Sequence, residues 1–204
     1  MLLEAYLLVN KMFRGYNVSM LPKTSSESFI VFEGAIDQQA TIRLVSAIEK
    51  AEQQNAQKVN IFFSSLGGSI YEGFLLATLI QNSKTQISIH ANNHIDSIAN
   101  VVYLSSKERT AESYAKFYMH GATANGSFDE KGLKDQLTAT QTNNTRIAYF
   151  ISENSELPLP KVQQMMNIGT TITAQKAMEY GIVHQINHKE IPKSLSREAI
   201  IYVN

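Results

Sequence analysis

Three features of this chain could together perform acyl transfer. Ser97 opens an apolar segment, and His120 ends a later strand-like segment. The adjacent glycines Gly67 and Gly68 follow an apolar strand pattern earlier in the chain. A serine hydroxyl becomes a strong nucleophile when a base takes its proton, and the oxyanion that forms needs N–H donors. The three features therefore supply a nucleophile, a base and a turn whose backbone N–H groups could bind an oxyanion.

Each feature also has an ordinary structural interpretation. Ser97 could simply cap a helix, His120 could be a hydrogen-bonded structural residue, and two glycines often form a strand-to-helix turn. The serine does not lie in a Gly-x-Ser-x-Gly elbow. The glycines lack the lysine and spacing of a phosphate-binding loop, and they do not match a dinucleotide-binding fingerprint. The remaining histidines show no metal-ligand spacing with carboxylates.

The elements that must position these residues alternate between strand and helix patterns. Strands are predicted over residues 28–32, 58–63, 86–91, 116–119 and 182–186. Helices are predicted over 38–54 after the cap Asp37, 70–81, 97–105, 129–154 with Asp129 as cap, 161–166, and 174–180 after the cap Thr173. Regular alternation favours an α/β fold with a mostly parallel sheet. In such a sheet, a histidine at the carboxyl end of a strand lies where sites form.

Composition excludes several classes of protein. Lys+Arg and Asp+Glu balance at 18 each, so net charge indicates neither a nucleic-acid nor a membrane partner. Without cysteine there is no disulfide framework, thiolate nucleophile or cysteine-based zinc site, and the chain fits a reducing compartment. We expect a soluble, cytoplasmic protein without metal or cofactor. Residues 1–28 are interpreted as an N-terminal segment and linker rather than a signal peptide, and 29–204 as one domain.

Four segments matter together, in their order along the chain: Phe29–Asp37, Ile61–Ile70, Phe117–His120 and Thr173–Val183. They resemble segments of the Clp protease proteolytic subunit (ClpP) family of serine peptidases. The resemblance spans residues 29–186, about three-quarters of the chain. It implies a crotonase-like α/β spiral of ββα units, with the helix over 129–154 as a protruding handle. It also implies assembly into rings, stacked through the handles, around a degradation chamber. A partner unfoldase of the AAA+ class is a further expectation, since the chain has no nucleotide motif of its own.

The resemblance assigns roles to individual residues. Ser97 takes the place of the nucleophile and His120 that of the general base. The N–H groups of Gly68 and Ile98 take the oxyanion-hole positions, and Gly67 and Ser69 lie in the substrate-binding turn.

The surroundings of these residues depart from the family's pattern. Ile95 and Asp96 precede the serine and Ala99 follows it, where the family has small residues. Leu66 replaces the proline of the glycine turn, and His184 replaces an acidic residue.

The third triad position is the largest departure. A gap-free count from Thr173 places Gly169 there, and Asn167 is the nearest side chain able to orient an imidazole. No carboxylate lies between Glu156 and Glu179. In a triad built for aspartate, replacement by asparagine costs roughly 10⁴-fold in turnover.

The sequence therefore predicts a serine endopeptidase with a Ser97–His120–Asn167 triad, which cleaves peptides or unfolded proteins inside a ring. The alternative is a catalytically weak or silent ring subunit that serves as a scaffold. Acyl-thioester chemistry of the related crotonase fold is a third class, and no coenzyme A site supports it.

Overall fold

Strands and helices alternate along most of the chain in the computed structural model, which describes residues 27–190 and 200–203. The strands are β1 (Glu27–Glu33), β2 (Lys58–Ser65), β3 (Gln86–Asp96), β4 (Glu108–Ala111), β5 (Lys116–Met119), β6 (Thr170–Thr173), β7 (Gln185–Ile186) and β8 (Ile200–Val203). The helices are α1 (Gln38–Gln53), α2 (Ile70–Gln81), α3 (Ala99–Leu104), α4 (Glu130–Glu153), α5 (Leu159–Ile168) and α6 (Ala174–Glu179). Nearly all of the predicted N-terminal segment, residues 1–26, lies outside the described residues. Over the described ranges, no helix combines the length and apolar character that crossing a membrane requires.

The eight strands form one sheet in the order β6-β5-β3-β2-β1-β8, with β4 beside β3 and β7 beside β4. The neighbouring strands are parallel except for β5 and β6. β3 pairs with two strands in succession: Ser88–Ala91 with β4, and His94–Asp96 with β5. Because β5 joins only the last residues of β3, the segments that follow β3 and β5 leave the sheet at neighbouring points.

Side-chain caps fix where several helices begin. Asp37 accepts a hydrogen bond from the Ala40 N–H at 2.8 Å, and Asp129 accepts one from the Gly132 N–H at 2.7 Å. Such caps satisfy N–H groups that have no partner within the helix. Thr173 caps α6 in the same way, so all three predicted caps are confirmed.

Several local predictions differ from the structure. β3 continues to Asp96, beyond the predicted end of that strand at residue 91, and β8 was not predicted. The helix predicted over 97–105 begins only at Ala99, and the strand predicted over 182–186 is reduced to β7. The short strands β4 and β6 were not predicted, because neither has an apolar run. α5 begins at Leu159, since Pro160 in the first turn has no intrahelical N–H bond to lose.

The core lies between the sheet and the inward faces of the helices. β2 is buried along its length after Lys58, as expected for a strand covered on both faces. On α1 the inward face includes Ala40, Leu44 and Ile48, whereas Ile42 is 53% exposed. Ala40, Leu44 and Ile48 thus recur every four residues, which is the spacing of one helix face.

Helix α4 is packed only toward its carboxyl end. Its buried residues are Ile147, Ala148 and Ile151, and Leu133 and Leu137 nearer its start are exposed. The predicted handle is therefore present as a 24-residue helix whose first turns extend beyond the core.

The buried Arg109 in β4 joins three parts of the fold through its guanidinium group. Nε donates to the Ile182 carbonyl at 2.8 Å, and an Nη donates to the Ser106 carbonyl at 2.7 Å. The other Nη donates to the Gly181 and Asn154 carbonyls at 2.9 and 3.1 Å. One side chain thus ties β4 to the end of α4 and to the turn after α6.

A buried histidine connects β3 to the segment after β7. His90 Nδ1 lies 2.8 Å from Thr110 Oγ1, and His90 Nε2 lies 3.2 Å from Glu112 Oε1. The same carboxylate oxygen accepts hydrogen bonds from His188 Nδ1 and the Lys189 N–H. Burial lowers the pKa of His90. Burial alone would raise the pKa of Glu112, but the hydrogen bonds it accepts lower it below its usual value.

We expect the free energy of unfolding to fall as the pH drops below about 6.5, because unfolded His90 is protonated more readily than folded His90. The slope for one proton is at most about 1.4 kcal/mol per pH unit. Urea unfolding between pH 5.5 and 7.5 measures it, and His90→Gln should flatten the curve. An unchanged slope in His90→Gln would contradict this assignment. Burial also lowers the pKa of His184, so this residue adds to the pH dependence in the same direction. Its effect is present in both the wild type and His90→Gln.

Candidate active site

Ser97 occupies a sharp turn between β3 and α3. Its φ is +59°, in the left-handed region that serine rarely adopts. Its N–H donates to the Tyr118 carbonyl at 2.8 Å, which ties the turn to β5. Helix α3 begins two residues later, and Ser97 is neither its first residue nor its cap. Strain of this kind is found where the surrounding structure holds a residue in place for function.

The glycine turn packs directly against this serine. A Cβ on Gly67, whose φ is +95°, would lie 2.6 Å from Ser97 Cβ and 3.2 Å from its Oγ. A Cβ on Gly68 would lie 2.3 Å from the Ile36 carbonyl oxygen. Any side chain at either position would force the turn away from its neighbours, so both glycines are required for this close approach.

Backbone hydrogen bonds hold the glycine turn against the segment after β1. The Ile36 N–H donates to the Gly67 carbonyl at 2.9 Å, and the Ser69 N–H donates to the Ile36 carbonyl at 2.8 Å. Within the described ranges, the N–H groups of Gly68 and Ile98 have no hydrogen-bond acceptor. They are the two groups that the family resemblance places in the oxyanion hole, and neither is used in a hydrogen bond within these ranges.

His120 follows the carboxyl end of β5, at the edge of the sheet where Ser97 follows the carboxyl end of β3. The parallel register pairs Asp96 with Tyr118, so Ser97 and His120 both leave the sheet just beyond this pair. His120 Nδ1 lies 2.7 Å from the Gly121 carbonyl oxygen, and the Tyr118 ring stacks on the imidazole. No hydrogen bond joins Ser97 Oγ to His120 among residues 27–190; catalytic hydrogen bonds are often long before substrate binds.

The Clp protease family model matches residues 14–190 of this sequence. The chain belongs to the Clp protease family. A solved structure described as an asparagine-to-aspartate mutant of ClpP1 from Listeria monocytogenes has the same fold, with a TM-score of 0.72. The two chains are 16% identical, and the match covers 84% of this chain and 94% of that one. The predicted family and the ClpP-type α/β fold are thereby confirmed, and they support a ClpP-like peptidase.

For the third triad position, the structure gives the surroundings of both residues considered from the sequence. Asn167 is exposed on α5, where it lines a cavity of about 370 Å³ with Gln141, Asn144 and Met166 among others. No hydrogen bond connects it to His120 within residues 27–190. Gly169, the residue of the gap-free count, ends α5 with φ +69°. Asp96 directs a carboxylate oxygen toward His94 Nδ1 at 3.6 Å, not toward His120.

One further residue supports the site and was missed from the sequence. Asn100 is fully buried, and its Nδ2 lies within hydrogen-bond distance of the Ile95, Ser97 and Tyr118 carbonyls. It thus fixes both ends of the serine turn and links them to β5. A lone asparagine inside the apolar run from Ile98 to Leu104 was the available signal, because a buried amide needs partners.

Ser69 and Leu66 flank the glycine turn at the surface. The Ser69 hydroxyl accepts a hydrogen bond from the Glu72 N–H at 3.3 Å and caps α2. Leu66 is 68% exposed beside the turn.

Over the described part of the chain, no group of histidine, cysteine and acidic side chains is arranged to hold a metal ion.

Proposed function

We propose that this protein is a serine endopeptidase that cleaves peptides or unfolded proteins through an acyl-enzyme on Ser97. Ser97 Oγ attacks the peptide carbonyl while His120 Nε2 takes its proton. The N–H groups of Gly68 and Ile98 stabilise the oxyanion. His120 then gives the proton to the leaving amine. Water, activated by the same imidazole, attacks the acyl-enzyme carbon and frees Ser97.

The observation that carries this proposal is the left-handed backbone of Ser97, which packs against a turn where only glycine fits. Serine at φ +59° is unfavourable, and Gly67 leaves only enough room for the serine side chain. Two free N–H groups flank this point, and a histidine leaves the neighbouring strand at the same edge. A serine that only caps a helix adopts extended backbone angles. It would need neither the glycine turn, nor the free N–H groups, nor the nearby histidine.

The substrate is proposed to bind as an extended peptide along the turn of Leu66, Gly67 and Ser69. The Ser69 hydroxyl and N–H and the Gly67 carbonyl are already hydrogen-bonded within the fold, so pairing with a peptide would use the remaining main-chain groups of the turn. Exposed Leu66 offers an apolar contact beside it.

Family membership suggests assembly into a ring, in which α4 would serve as the handle. The exposed side chains Leu133 and Leu137 on its projecting turns fit a contact with another copy. An AAA+ unfoldase partner and a cytoplasmic location remain predictions.

The alternative is a silent scaffold subunit, and one observation favours it. No carboxylate faces His120 within the described residues, so the imidazolium formed during catalysis has no charged partner there. The proposal and this alternative differ in whether Ser97 is activated.

Labelling with a fluorophosphonate distinguishes them. We expect the assembled wild-type protein to gain one adduct per chain, which tandem mass spectrometry locates on Ser97, because only an activated serine reacts. The same protein unfolded in urea is the control and should not react. His120→Ala should slow the labelling at least about 10²-fold, since the general base is lost. Assembled wild-type protein that gains no adduct would contradict the proposal and leave the scaffold.

A further inference from the structure

Gly169 lies opposite His120 across two antiparallel strands. The register of β5 and β6 pairs Met119 with Thr170, so the next residue of each segment, His120 and Gly169, is also adjacent. A side chain at 169 could therefore point toward the imidazole, but glycine provides none.

Tyr118 occupies the space that such a side chain would enter. A Cβ on Gly169 would lie 3.0 Å from the Tyr118 hydroxyl oxygen. The Tyr118 ring also stacks on the His120 imidazole, with centroids 4.9 Å apart and an angle of 24° between the planes. The tyrosine thus packs on one face of the imidazole and fixes the plane of its ring.

A main-chain carbonyl contacts the nitrogen that a carboxylate would otherwise bind. His120 Nδ1 lies 2.7 Å from the Gly121 oxygen, and a carbonyl can only accept a hydrogen bond. The proton of the neutral imidazole is therefore on Nδ1, which leaves the Nε2 lone pair free to act as base.

The Gly121 carbonyl is itself held in position by two helices. The Gly121 N–H donates to the Met166 carbonyl on α5 at 3.1 Å. The next N–H, of Ala122, donates to Asn144 Oδ1 on α4 at 2.6 Å. The Gly121 carbonyl, which accepts the hydrogen bond from His120 Nδ1, therefore lies in a loop whose N–H groups at Gly121 and Ala122 are both held by helices.

We infer that Tyr118 and the Gly121 carbonyl together replace the third triad member as the groups that position His120. The inference rests on the proposed function. Tyr118 acts through His120 and is a positioning residue. Its own carbonyl accepts the Ser97 N–H, so one residue aligns both the nucleophile and the base.

The test compares fluorophosphonate labelling rates of the assembled wild type, Tyr118→Phe, Tyr118→Ala and Asn167→Asp. Phenylalanine keeps the stacked ring, so Tyr118→Phe should react within about twofold of wild type. Tyr118→Ala should react about tenfold more slowly, which is the scale of one aromatic contact. Asn167→Asp should leave the rate unchanged, because Asn167 makes no contact with the imidazole.

The results separate this inference from the proposed function. Absence of labelling in wild type would contradict the proposed function itself. A labelled wild type with an equally fast Tyr118→Ala, or a markedly faster Asn167→Asp, would overturn the positioning role. A slow Tyr118→Phe would overturn the role of the ring, since only the hydroxyl is lost.

A second measurement does not depend on activity. The ¹⁵N chemical shifts of histidine distinguish the two neutral tautomers, and His120→Gln identifies the relevant signals by their loss. We expect the Nδ1–H tautomer at His120 in wild type and in Tyr118→Phe, and a mixture in Tyr118→Ala. An Nε2–H tautomer in wild type would contradict the inference, whether or not the protein is active.

Discussion

Ser97→Ala is expected to reduce peptide hydrolysis at least about 10³-fold, because alanine cannot form the acyl-enzyme. The loss should appear in kcat rather than KM, since the glycine turn and the oxyanion donors remain. Cleavage of a fluorescein-labelled unfolded protein by assembled wild type and variant measures it. Ser113→Ala, which changes an exposed serine between β4 and β5, is the matched control and should retain full activity.

A second variant at the same position shows that the loss is chemical and not structural. Ser97→Gly should be as inactive as Ser97→Ala, but about 1 kcal/mol more stable toward unfolding, because glycine adopts φ +59° without strain. An inactive and less stable Ser97→Gly would indicate that the turn needs the serine side chain for folding. Retained hydrolysis in either variant would show that Ser97 is not the nucleophile.

Arg109→Met is expected to lower the free energy of unfolding by about 3 kcal/mol or more. Methionine fills similar space but leaves four carbonyl oxygens without their donor, and each buried unsatisfied group costs about 1–3 kcal/mol. Partial access of water to these carbonyls keeps the total below the sum of these costs. The midpoint and slope of urea unfolding, at one protein concentration, measure the change.

Arg146→Met is the control for Arg109→Met. Arg146 is exposed on α4, with its guanidinium carbon 4.3 Å from the centre of the Phe74 ring. An exposed cation–π contact contributes about 0.5–1 kcal/mol, so this variant should lose no more than that. Equal losses in the two variants would contradict the role assigned to the four carbonyl contacts of Arg109.

Sequence patterns were sufficient for the elements that have local signals. Helix α2 was predicted with its observed bounds, because apolar residues recur along it at helical spacing. The strand before His120 was also predicted with its observed bounds. β6 follows a helix end without any apolar alternation, and its pairing with β5 is a long-range contact that no local pattern reports.

The geometry of the candidate site was only partly predictable. The positions of Ser97, His120 and Gly67 followed from their order and from the family resemblance. The left-handed angle of Ser97 could not be predicted, since apolar spacing after a serine looks the same whether or not the serine starts the helix. The acceptor of His120 Nδ1 is a main-chain oxygen, and such an atom is present at every residue. The choice between Gly169 and Asn167 needed the register of β5 and β6.

The strained backbone at Ser97 also bears on which residues this position can accept. Where only the shape of the turn matters, glycine fits at least as well as serine, because it has no Cβ to crowd the left-handed conformation. Glycine would therefore serve a subunit needed only for its shape. Serine at φ +59° adds a hydroxyl at this point and costs the turn some stability.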